Sequence, residues 1–401
     1  MHILILSPIL PHPPNWGFGK RVYHLLEVLS RSHSVSLLTY ADDRDAQSIQ
    51  ALRAFCVDVH TVPTRPFRFG KRIAQVLSVV SAKSFQRRTS YNLEMQQKLD
   101  ELTRREPFDI IQIESSQMAC FRFDRRSLVV LDEHNIEYEL YYRMYQSERS
   151  AARRLFSWLE YYKFRREEIA SWQTVSGCVM SSRREMEILH ALSPGTPATV
   201  VPNAVDTDFF MPAAGPVDPD AIVFTGLMSY RPNVDAAIFF VRDIMPRILA
   251  KRPSAVFYIV GGEAPPEVTR LASANVVVTG SVEDVRPYVH RAAVFAVPLR
   301  MGSGTRLKVL EGLSMGKPMV STSLGCEGID LVPGEHLLIA DEANSFADAV
   351  LDLMTQPEMA GRLGVEGRGL MLRRYRWETA TEELEEFYGR LRNGPIESGS
   401  R

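Results

Sequence analysis

A glycine-rich turn that leads into a charged helix is the part of this sequence best suited to chemistry. The stretch MGSGTRLKVLEGLSMGKP spans 301–318 and follows a strand-like run, AVFAVP. The first N–H groups of a helix have no partner within it and carry partial positive charge, while glycine lets an anion come close to the backbone. We therefore expect a phosphate at this turn, with Arg306 supplying a full positive charge.

Glu311 lies too far along the predicted helix to share that phosphate, which its own charge would repel. A carboxylate near a diphosphate is well placed to accept hydrogen bonds from ribose hydroxyls, as in dinucleotide sites. The combination predicts a nucleotide site. The alternative is an ordinary surface helix, in which Lys308 and Glu311 form an exposed pair worth a few tenths of a kcal/mol.

The elements that would position this turn alternate between strand-like runs and helical patterns. In the first half, strands are predicted at 2–7, 34–40, 109–114, 128–133, 177–182 and 198–203, and helices at 19–31, 45–54, 92–104, 150–172 and 183–191. This order favours an α/β fold, in which helices cover both faces of a parallel sheet.

A second series of elements begins after a segment rich in proline, alanine and aspartate. Its strands are predicted at 221–226, 255–262, 276–280, 293–298 and 318–323, and its helices at about 233–250, 283–291 and 306–315. We therefore expect two Rossmann-like domains. The predicted division is an N-terminal domain at 1–205, a linker at 206–220, a C-terminal domain at 221–375, and a terminal helix and tail at 376–401.

The composition is typical of a globular protein and disfavours several other classes. The 401 residues are 45% hydrophobic and 24% charged, with a net charge of −1. No run approaches the roughly 18 consecutive apolar residues that a membrane span needs. The 4 cysteines are scattered, which indicates neither a disulfide framework nor a zinc site and fits a cytoplasmic setting.

Several segments together resemble the family 4 retaining nucleotide-sugar glycosyltransferases. The stretch PLRMGSGTRLKVLEGLSMGKPMVST (298–322) is similar to their donor-binding segment, with Glu311 at the place of a family glutamate. Further similar segments, which extend the resemblance over nearly the whole chain, are VPNAVDTDFF (201–210), IVGGE (259–263), GSVEDVRPYV (280–289) and Tyr375-x-Trp377. The G-x-G-T-R-L-K and Y-R-P-N variants resemble a branch of the family associated with exopolysaccharide assembly.

The resemblance implies a fold and an activity. The fold would be GT-B, with two Rossmann-like domains facing across a cleft and a C-terminal helix crossing back to the first domain. The activity would be transfer of a sugar from a UDP- or GDP-sugar to a saccharide or lipid-linked saccharide acceptor, with retention of configuration, in exopolysaccharide or cell-surface glycan assembly. The nucleotide-sugar is a substrate, and no cofactor or metal is expected.

The resemblance also implies roles for individual residues. His134, at the end of a predicted strand, would face the transferred sugar and act in catalysis with Arg306 and Glu311, although a purely structural histidine is the alternative. Residues implied to bind the donor are Gly17, Gly19, Gly226, Arg231, Val282, Gly302, Ser303, Gly304, Thr305, Leu307 and Glu311.

Gly17 and Gly19 match the first glycine-rich loop of the family, but could equally form an ordinary tight turn. Lys20 and Arg21, which follow, would add positive charge or point to solvent. Glu137 is either a base on the acceptor side or an exposed helix residue.

The chain departs from the family pattern at three positions that normally bind the donor. Ser303 replaces a glutamate that contacts sugar hydroxyls, while Leu227 and Pro232 replace two phosphate-facing cations. We infer that Arg306, together with Arg231, restores the lost charge.

Two other functions remain open from the sequence. A nucleotide-sugar epimerase or sugar-phosphate synthase could use the same fold, and a glycosyltransferase-like subunit could bind a partner without turnover. The pairs Asp206-x-Asp208 and Asp218-x-Asp220 spell a metal-binding pattern, but we expect no metal there because both pairs fall at the predicted linker.

The charge of the chain is unevenly distributed. Residues 1–200 carry 27 Lys and Arg against 22 Asp and Glu, and basic residues flank the apolar run IAQVLSVV within 65–88. This segment could contact an anionic membrane from the cytoplasmic side, or form a solvated amphipathic helix of the domain. Contact with nucleic acid is not expected.

Overall fold

The computed structural model describes residues 1–14, 16–64, 75, 78, 79, 81–148, 150–302 and 304–394. The chain forms two compact units, Met1–Pro202 with Ala380–Arg401, and Asn203–Thr379. The first unit ends at Pro202 rather than at 205, because Val205 is buried and its N–H donates to the carbonyl of Tyr375, within the second unit (2.8 Å).

The N-terminal unit is built on a parallel sheet of seven strands in the order β3-β2-β1-β4-β5-β6-β7. The strands are β1 His2–Ser7, β2 Ser34–Tyr40, β3 Asp58–Val62, β4 Ile110–Glu114, β5 Leu128–Glu133, β6 Gly177–Met180 and β7 Ala198–Val200. Its helices are α1 Gly17–Leu29, α2 Ala46–Leu52, α3 Phe85–Ser90, α4 Leu93–Arg105, α5 Glu137–Ser147, α6 Ala151–Thr174 and α7 Arg183–Leu192.

Hydrophobic pattern explains how these elements pack. Strands β1 and β4 are apolar in consecutive positions, and almost every residue of both is buried, as expected of central strands covered on two faces. Helix α1 instead buries Val22, Leu25, Leu26 and Leu29, the spacing of one helix face.

The C-terminal unit is built on a second parallel sheet, in the order β10-β9-β8-β11-β12-β13. The strands are β8 Asp218–Thr225, β9 Val256–Val260, β10 Val276–Gly280, β11 Ala292–Val297, β12 Met319–Ser321 and β13 Leu338–Ile339. The helices are α8 Arg231–Phe239, α9 Met245–Lys251, α10 Pro266–Thr269, α11 Arg286–Arg291, α12 Leu307–Ser314, α13 Ala343–Thr355 and α14 Pro357–Arg374. The predicted linker 206–220 is shorter in the structure, since Asp218 already pairs with Ala292 of β11.

The last helix, α15 (Trp377–Asn393), packs on the N-terminal unit. Tyr388 is fully buried and donates its hydroxyl hydrogen to Gln112 of β4, and a β-carbon on Gly177 of β6 would lie 2.6 Å from the ring of Phe387. The prediction that the terminal helix returns to the first domain is therefore confirmed. Within the described residues, no helix is both long and apolar enough to cross a bilayer.

Candidate active site

The strand order of each sheet reverses beside its first strand, between β1 and β4 and between β8 and β11. In open parallel sheets, ligands bind outside the carboxyl ends of the strands at such a reversal. The predicted donor turn follows β11, and Gly226 follows β8, so both lie at the reversal of the second sheet. Gly226 and Gly302 have φ angles of 152° and 120°, which residues with side chains rarely adopt.

Arg306 lies immediately before α12, as predicted, but its guanidinium is folded against the turn itself. The side chain is 8% exposed, and Nη1 donates to the carbonyl of Gly304 (2.6 Å). A β-carbon on Gly302 would lie 3.0 Å from Nη2 of the same arginine. These contacts show that Arg306 braces the turn, whereas its binding of a phosphate stays a prediction.

Lys308 is the charged residue whose position the sequence did not anticipate. It does not form the exposed pair with Glu311 that the sequence allowed, because its Nζ donates to Oδ1 of Asn233 (2.7 Å) and lies 4.2 Å from the centre of the Phe224 ring. Burial, and then the positive charge of Arg306, lower the pKa of Lys308 to about 7. A signal was present in the sequence, since two glycines and two cations, Gly302, Gly304, Arg306 and Lys308, precede Glu311 in the turn and the start of the helix.

The other predicted donor-binding residues of this unit lie in the turn, in α12, in α8 and in the loop after β10. Thr305 and Gly304 are in the turn, Leu307 is the first residue of α12, and Glu311 is half-buried in its middle. Arg231 is exposed at the first position of α8, and Val282 is half-buried in the loop after β10. Ser303 lies outside the described residues.

His134 directly follows β5 in the N-terminal unit and is held from two sides. Its Nε2 lies 2.7 Å from Oε2 of Glu114, the last residue of β4, and its ring stacks on Phe18 of α1 with centroids 4.3 Å apart. Gln112 Nε2 donates to the other oxygen of Glu114 (2.7 Å). His134 is therefore placed by two neighbouring strands and one helix, which the sequence alone had not shown.

Gly17 and Gly19 belong to the first turn of α1 rather than to a loop before it. A β-carbon on Gly19 would lie 3.1 Å from the ring of Trp16. The expectation for Arg21 was wrong, because Arg21 is fully buried and its guanidinium bonds both carboxylate oxygens of Asp132 (2.9 and 2.8 Å). The positive charge of Arg21 is therefore used in a buried ion pair and is not exposed to solvent or to a phosphate.

A group of buried acids lies behind His134. Glu168 accepts hydrogen bonds from the N–H groups of Glu137 and Tyr138 (3.0 and 3.1 Å), which caps the first turn of α5. Glu133 accepts from the indole of Trp172 (2.8 Å). Burial raises the pKa of Glu133 to about 8 and that of Glu137 to about 7, so Glu137 is not the exposed glutamate that the sequence favoured.

One group of side chains has the spacing of metal ligands. Glu114, Asp132 and His134 each offer an atom within 4.8 Å of the others. Arg21 already neutralises Asp132, and Glu114 is bonded to His134, so these groups satisfy one another in the structure.

The two Asp-x-Asp pairs also have partners within the protein. Asp206 caps the turn at Asp208 and Phe209 through its Oδ1 (3.0 and 2.8 Å). Asp218 pairs with Arg291 (3.0 Å), and Asp220 is bonded to Arg252.

Two family models match most of the chain. Residues 17–209 match the model described as Glycosyltransferase Family 4, and residues 219–356 match Glycosyl transferases group 1. The chain belongs to the glycosyltransferases of this family, and it is an enzyme that uses a nucleotide-sugar. Its two Rossmann-like parallel-sheet units are those of the GT-B fold.

Individual relatives are more distant. A Klebsiella pneumoniae protein described as an uncharacterized 44.6 kDa protein in the cps region is 22% identical over 87% of this chain and 90% of its own length. The phosphatidyl-myo-inositol mannosyltransferase of Mycobacterium tuberculosis is 26% identical, over 52% of this chain and 57% of its own length. The chain therefore spans little more than half of that mannosyltransferase.

Solved structures share the fold over nearly the whole chain. Sucrose-phosphate synthase from Thermosynechococcus elongatus aligns with a TM-score of 0.70 and 16% identity, over 97% of this chain and 98% of its own. HepE from Anabaena, in complex with UDP, aligns with a TM-score of 0.68 and 12% identity, over 97% and 100%.

Proposed function

We propose that this chain transfers a sugar from a UDP- or GDP-sugar to a saccharide or lipid-linked saccharide, with retention of configuration. The observation that carries the proposal is the positive end of α12, where Arg306 and Lys308 meet a glycine turn at the strand reversal of the second sheet. HepE was solved with UDP, and several relatives are GDP-mannose-dependent mannosyltransferases, which supports these two donor bases.

In the proposed reaction, the bond between the anomeric carbon and the diphosphate oxygen breaks, and its electron pair leaves with the diphosphate. The helix N–H groups and the cations stabilise that growing charge. The acceptor hydroxyl attacks from the same face and passes its proton to the departing phosphate oxygen, so configuration is retained.

Glu311 is proposed to accept hydrogen bonds from the ribose. His134, oriented by Glu114, is proposed to hold a hydroxyl of the transferred sugar. The half-buried Glu137 follows His134 at the start of α5, and no base role is proposed for it because the departing phosphate takes the acceptor's proton. This chemistry needs no metal, which makes metal independence part of the proposal.

The acceptor is proposed to belong to exopolysaccharide or cell-surface glycan assembly. The relative from a cps region supports a polysaccharide, and the phosphatidylinositol mannosyltransferases support a lipid-linked acceptor. Both supports come from proteins less than 30% identical, so the acceptor must be found by assay.

The function can be tested with the purified full chain and a panel of UDP-, GDP- and ADP-sugars. We expect release of one nucleoside diphosphate, faster with a suitable saccharide acceptor and unchanged by EDTA, and an anomeric configuration in the product that matches the donor. Interconversion of donor sugars without transfer would identify an epimerase instead. Absence of any release across the panel would indicate a non-catalytic subunit.

We further propose a cytoplasmic location, with peripheral contact between 65–88 and an anionic membrane. Most of 65–80 lies outside the described residues, but helix α6 packs against the rest, since Lys163 donates to the carbonyl of Ser78 (2.6 Å). The same helix exposes Trp158 and Tyr162, residue types that favour membrane interfaces. Liposome flotation should show binding that depends on anionic lipid, and equal binding to neutral vesicles, or none, would contradict the proposal.

A further inference from the structure

Lys308 is a cation held at the carboxyl edge of the second sheet. It is the second residue of α12, and its ammonium reaches across to β8 and to the start of α8, where it meets Phe224 and Asn233. The amide oxygen of Asn233 and the ring face of Phe224 both attract positive charge, so they fix the ammonium without neutralising it.

No acid neutralises this ammonium within the described part of the chain. No carboxylate lies within ion-pair distance of Nζ there, and the charged groups that act on it are Arg306 and Glu311, from its own helix and the preceding turn. Keeping a half-buried charge without an ion-pair partner costs stability, and the lowering of its pKa to about 7 reflects that cost. An anionic ligand would remove the cost.

The backbone of Gly226 lies directly beside Nζ. A β-carbon on Gly226 would lie 2.7 Å from Nζ and 2.7 Å from the Asn233 amide nitrogen. Any residue other than glycine would therefore push the ammonium out of this position, which lies at the strand reversal where ligands bind. Lys308 has three donors, and one is used by Asn233.

We propose that Lys308 binds the diphosphate of the nucleotide-sugar and stabilises it as it leaves, with Asn233 and Phe224 holding the ammonium in place. This assignment rests on the proposed function of the same site. Arg306 braces the turn through Gly304 beside the proposed phosphate, and Lys308 adds a second cation that contacts the phosphates from α12. The charge that the family places near 227 and 232 is thereby supplied from another helix.

The chain contains a matched control for a buried lysine. Lys317 follows the other end of α12, is 7% exposed, and donates to the backbone carbonyl of His290 (3.1 Å). Burial lowers its pKa to about 8. Lys317 bonds a protein carbonyl far along the helix from the turn, so its loss should affect stability but not diphosphate binding.

The test is calorimetric titration of the full chain with UDP, GDP and ADP, with the matching nucleosides, and with inorganic pyrophosphate. Lys308→Met keeps the length of the side chain and removes its charge. We expect the affinity for the preferred nucleoside diphosphate and for pyrophosphate to fall about 10- to 100-fold, because a charge-assisted bond is lost. Nucleoside affinity should stay unchanged, and Lys317→Met should change neither.

A loss of less than about threefold in diphosphate affinity, or an equal loss of nucleoside affinity, would overturn the assignment. Failure of the wild-type chain to bind any diphosphate or pyrophosphate would do the same. Diphosphate binding that depends on Lys308 in a chain that transfers no sugar would support the assignment and contradict the proposed function.

A second measurement uses only the wild-type protein. At pH 8 a free nucleoside diphosphate is fully ionised, and Lys308 is mostly neutral, so binding should draw a proton from the buffer onto Lys308. Titrations in two buffers with different heats of ionisation count that proton. Clear proton uptake at pH 8 would support the assignment, whether or not the variants fold.

Discussion

Charged side chains are kept inside this protein in two different ways. In the N-terminal unit, Arg21 meets Asp132 and His134 meets Glu114, so each charge has a built-in partner. In the C-terminal unit, Lys308 has an amide and an aromatic ring instead. The first arrangement fixes geometry, and the second leaves charge available to a ligand.

Glu114 should affect catalysis only through His134. The two carboxylate oxygens of Glu114 hold Gln112 and His134, one each. Glu114→Gln keeps the shape of the side chain but has a single acceptor oxygen, so one of these two contacts is lost. We expect kcat to fall about tenfold, with donor KM changed less than about threefold, because orientation rather than donor binding is lost. Steady-state kinetics, with the exposed Glu187→Gln as control, checks this, and an unchanged kcat would contradict it.

The buried Glu133 makes stability depend on pH. Its pKa is about 8 in the folded chain, well above the ordinary value of 4.5, so between those pH values only the unfolded chain gives up the proton. The free energy of unfolding should therefore fall as the pH rises through this window. Glu133→Gln has no such proton, so between pH 5 and 9 its free energy of unfolding should fall by about 2 kcal/mol less than that of the wild type. Urea denaturation at several pH values measures this, with the exposed Glu382→Gln as control. Parallel curves for wild type and Glu133→Gln would show the assignment to be wrong.

The sequence predicted functional residues only where they are close together along the chain. The glycine turn and His134 were singled out as candidates because each follows a recognisable strand end. The contact of Lys308 with Asn233 joins residues 75 apart, and that of Arg21 with Asp132 joins residues 111 apart. Such pairs depend on the order of strands in each sheet, which hydrophobic pattern does not determine.

At the scale of elements, buried apolar strands were predicted almost residue by residue. Strands β1, β2 and β5 have the predicted bounds, because runs of Val, Ile and Leu mark inner strands clearly, and the edge strand β10 was also predicted with its bounds from its run of three valines. The edge strands β3 and β13 were missed, since DVHTV mixes polar and apolar residues and β13 has two residues. The helix predicted at about 233–250 is interrupted by a π turn at Phe240–Ile244, just before Pro246.

The ends of β8 and β9 approach too closely for any side chain. A β-carbon on Gly261, whose φ is 149°, would lie 1.9 Å from the carbonyl oxygen of Gly226. We expect Gly261→Ala to destabilise the chain by about 3 kcal/mol and to weaken nucleotide binding.

Gly361→Ala is the matched control for this substitution, since Gly361 lies within α14 and a β-carbon there meets nothing within 4 Å. It should stabilise the chain by about 0.5–1 kcal/mol. Urea denaturation compares the two, and a mild effect at Gly261 would contradict the packing described.

At the scale of the whole molecule, the two units share one construction. Each sheet is parallel, and the first six strands of each, numbered along its own unit, follow the same order, 3-2-1-4-5-6. The N-terminal unit adds a seventh strand, β7, and helix α15 from the far end of the chain. The candidate residues of both units therefore occupy equivalent ends of related sheets.

Helix α15 should contribute to both stability and catalysis of the N-terminal unit. The buried Tyr388 donates to Gln112, which in turn donates to Glu114. Tyr388→Phe should reduce the free energy of unfolding by about 1–3 kcal/mol and lower kcat, because Gln112 loses a partner. Urea denaturation and kinetics, with the exposed Tyr142→Phe as control, test this, and a loss of stability with kcat unchanged would separate the helix from the site.

The return of α15 also sets an order of assembly during synthesis. All of Asn203–Thr379 is translated before the part of α15 that belongs to the N-terminal unit, so the C-terminal unit has every residue that it needs while the N-terminal sheet still lacks its last helix. The half of the enzyme that is translated first is thus the half completed last. A chain truncated after Thr379 would carry every residue of the C-terminal unit beside an N-terminal core that still exposes the surface meant for Phe387 and Tyr388.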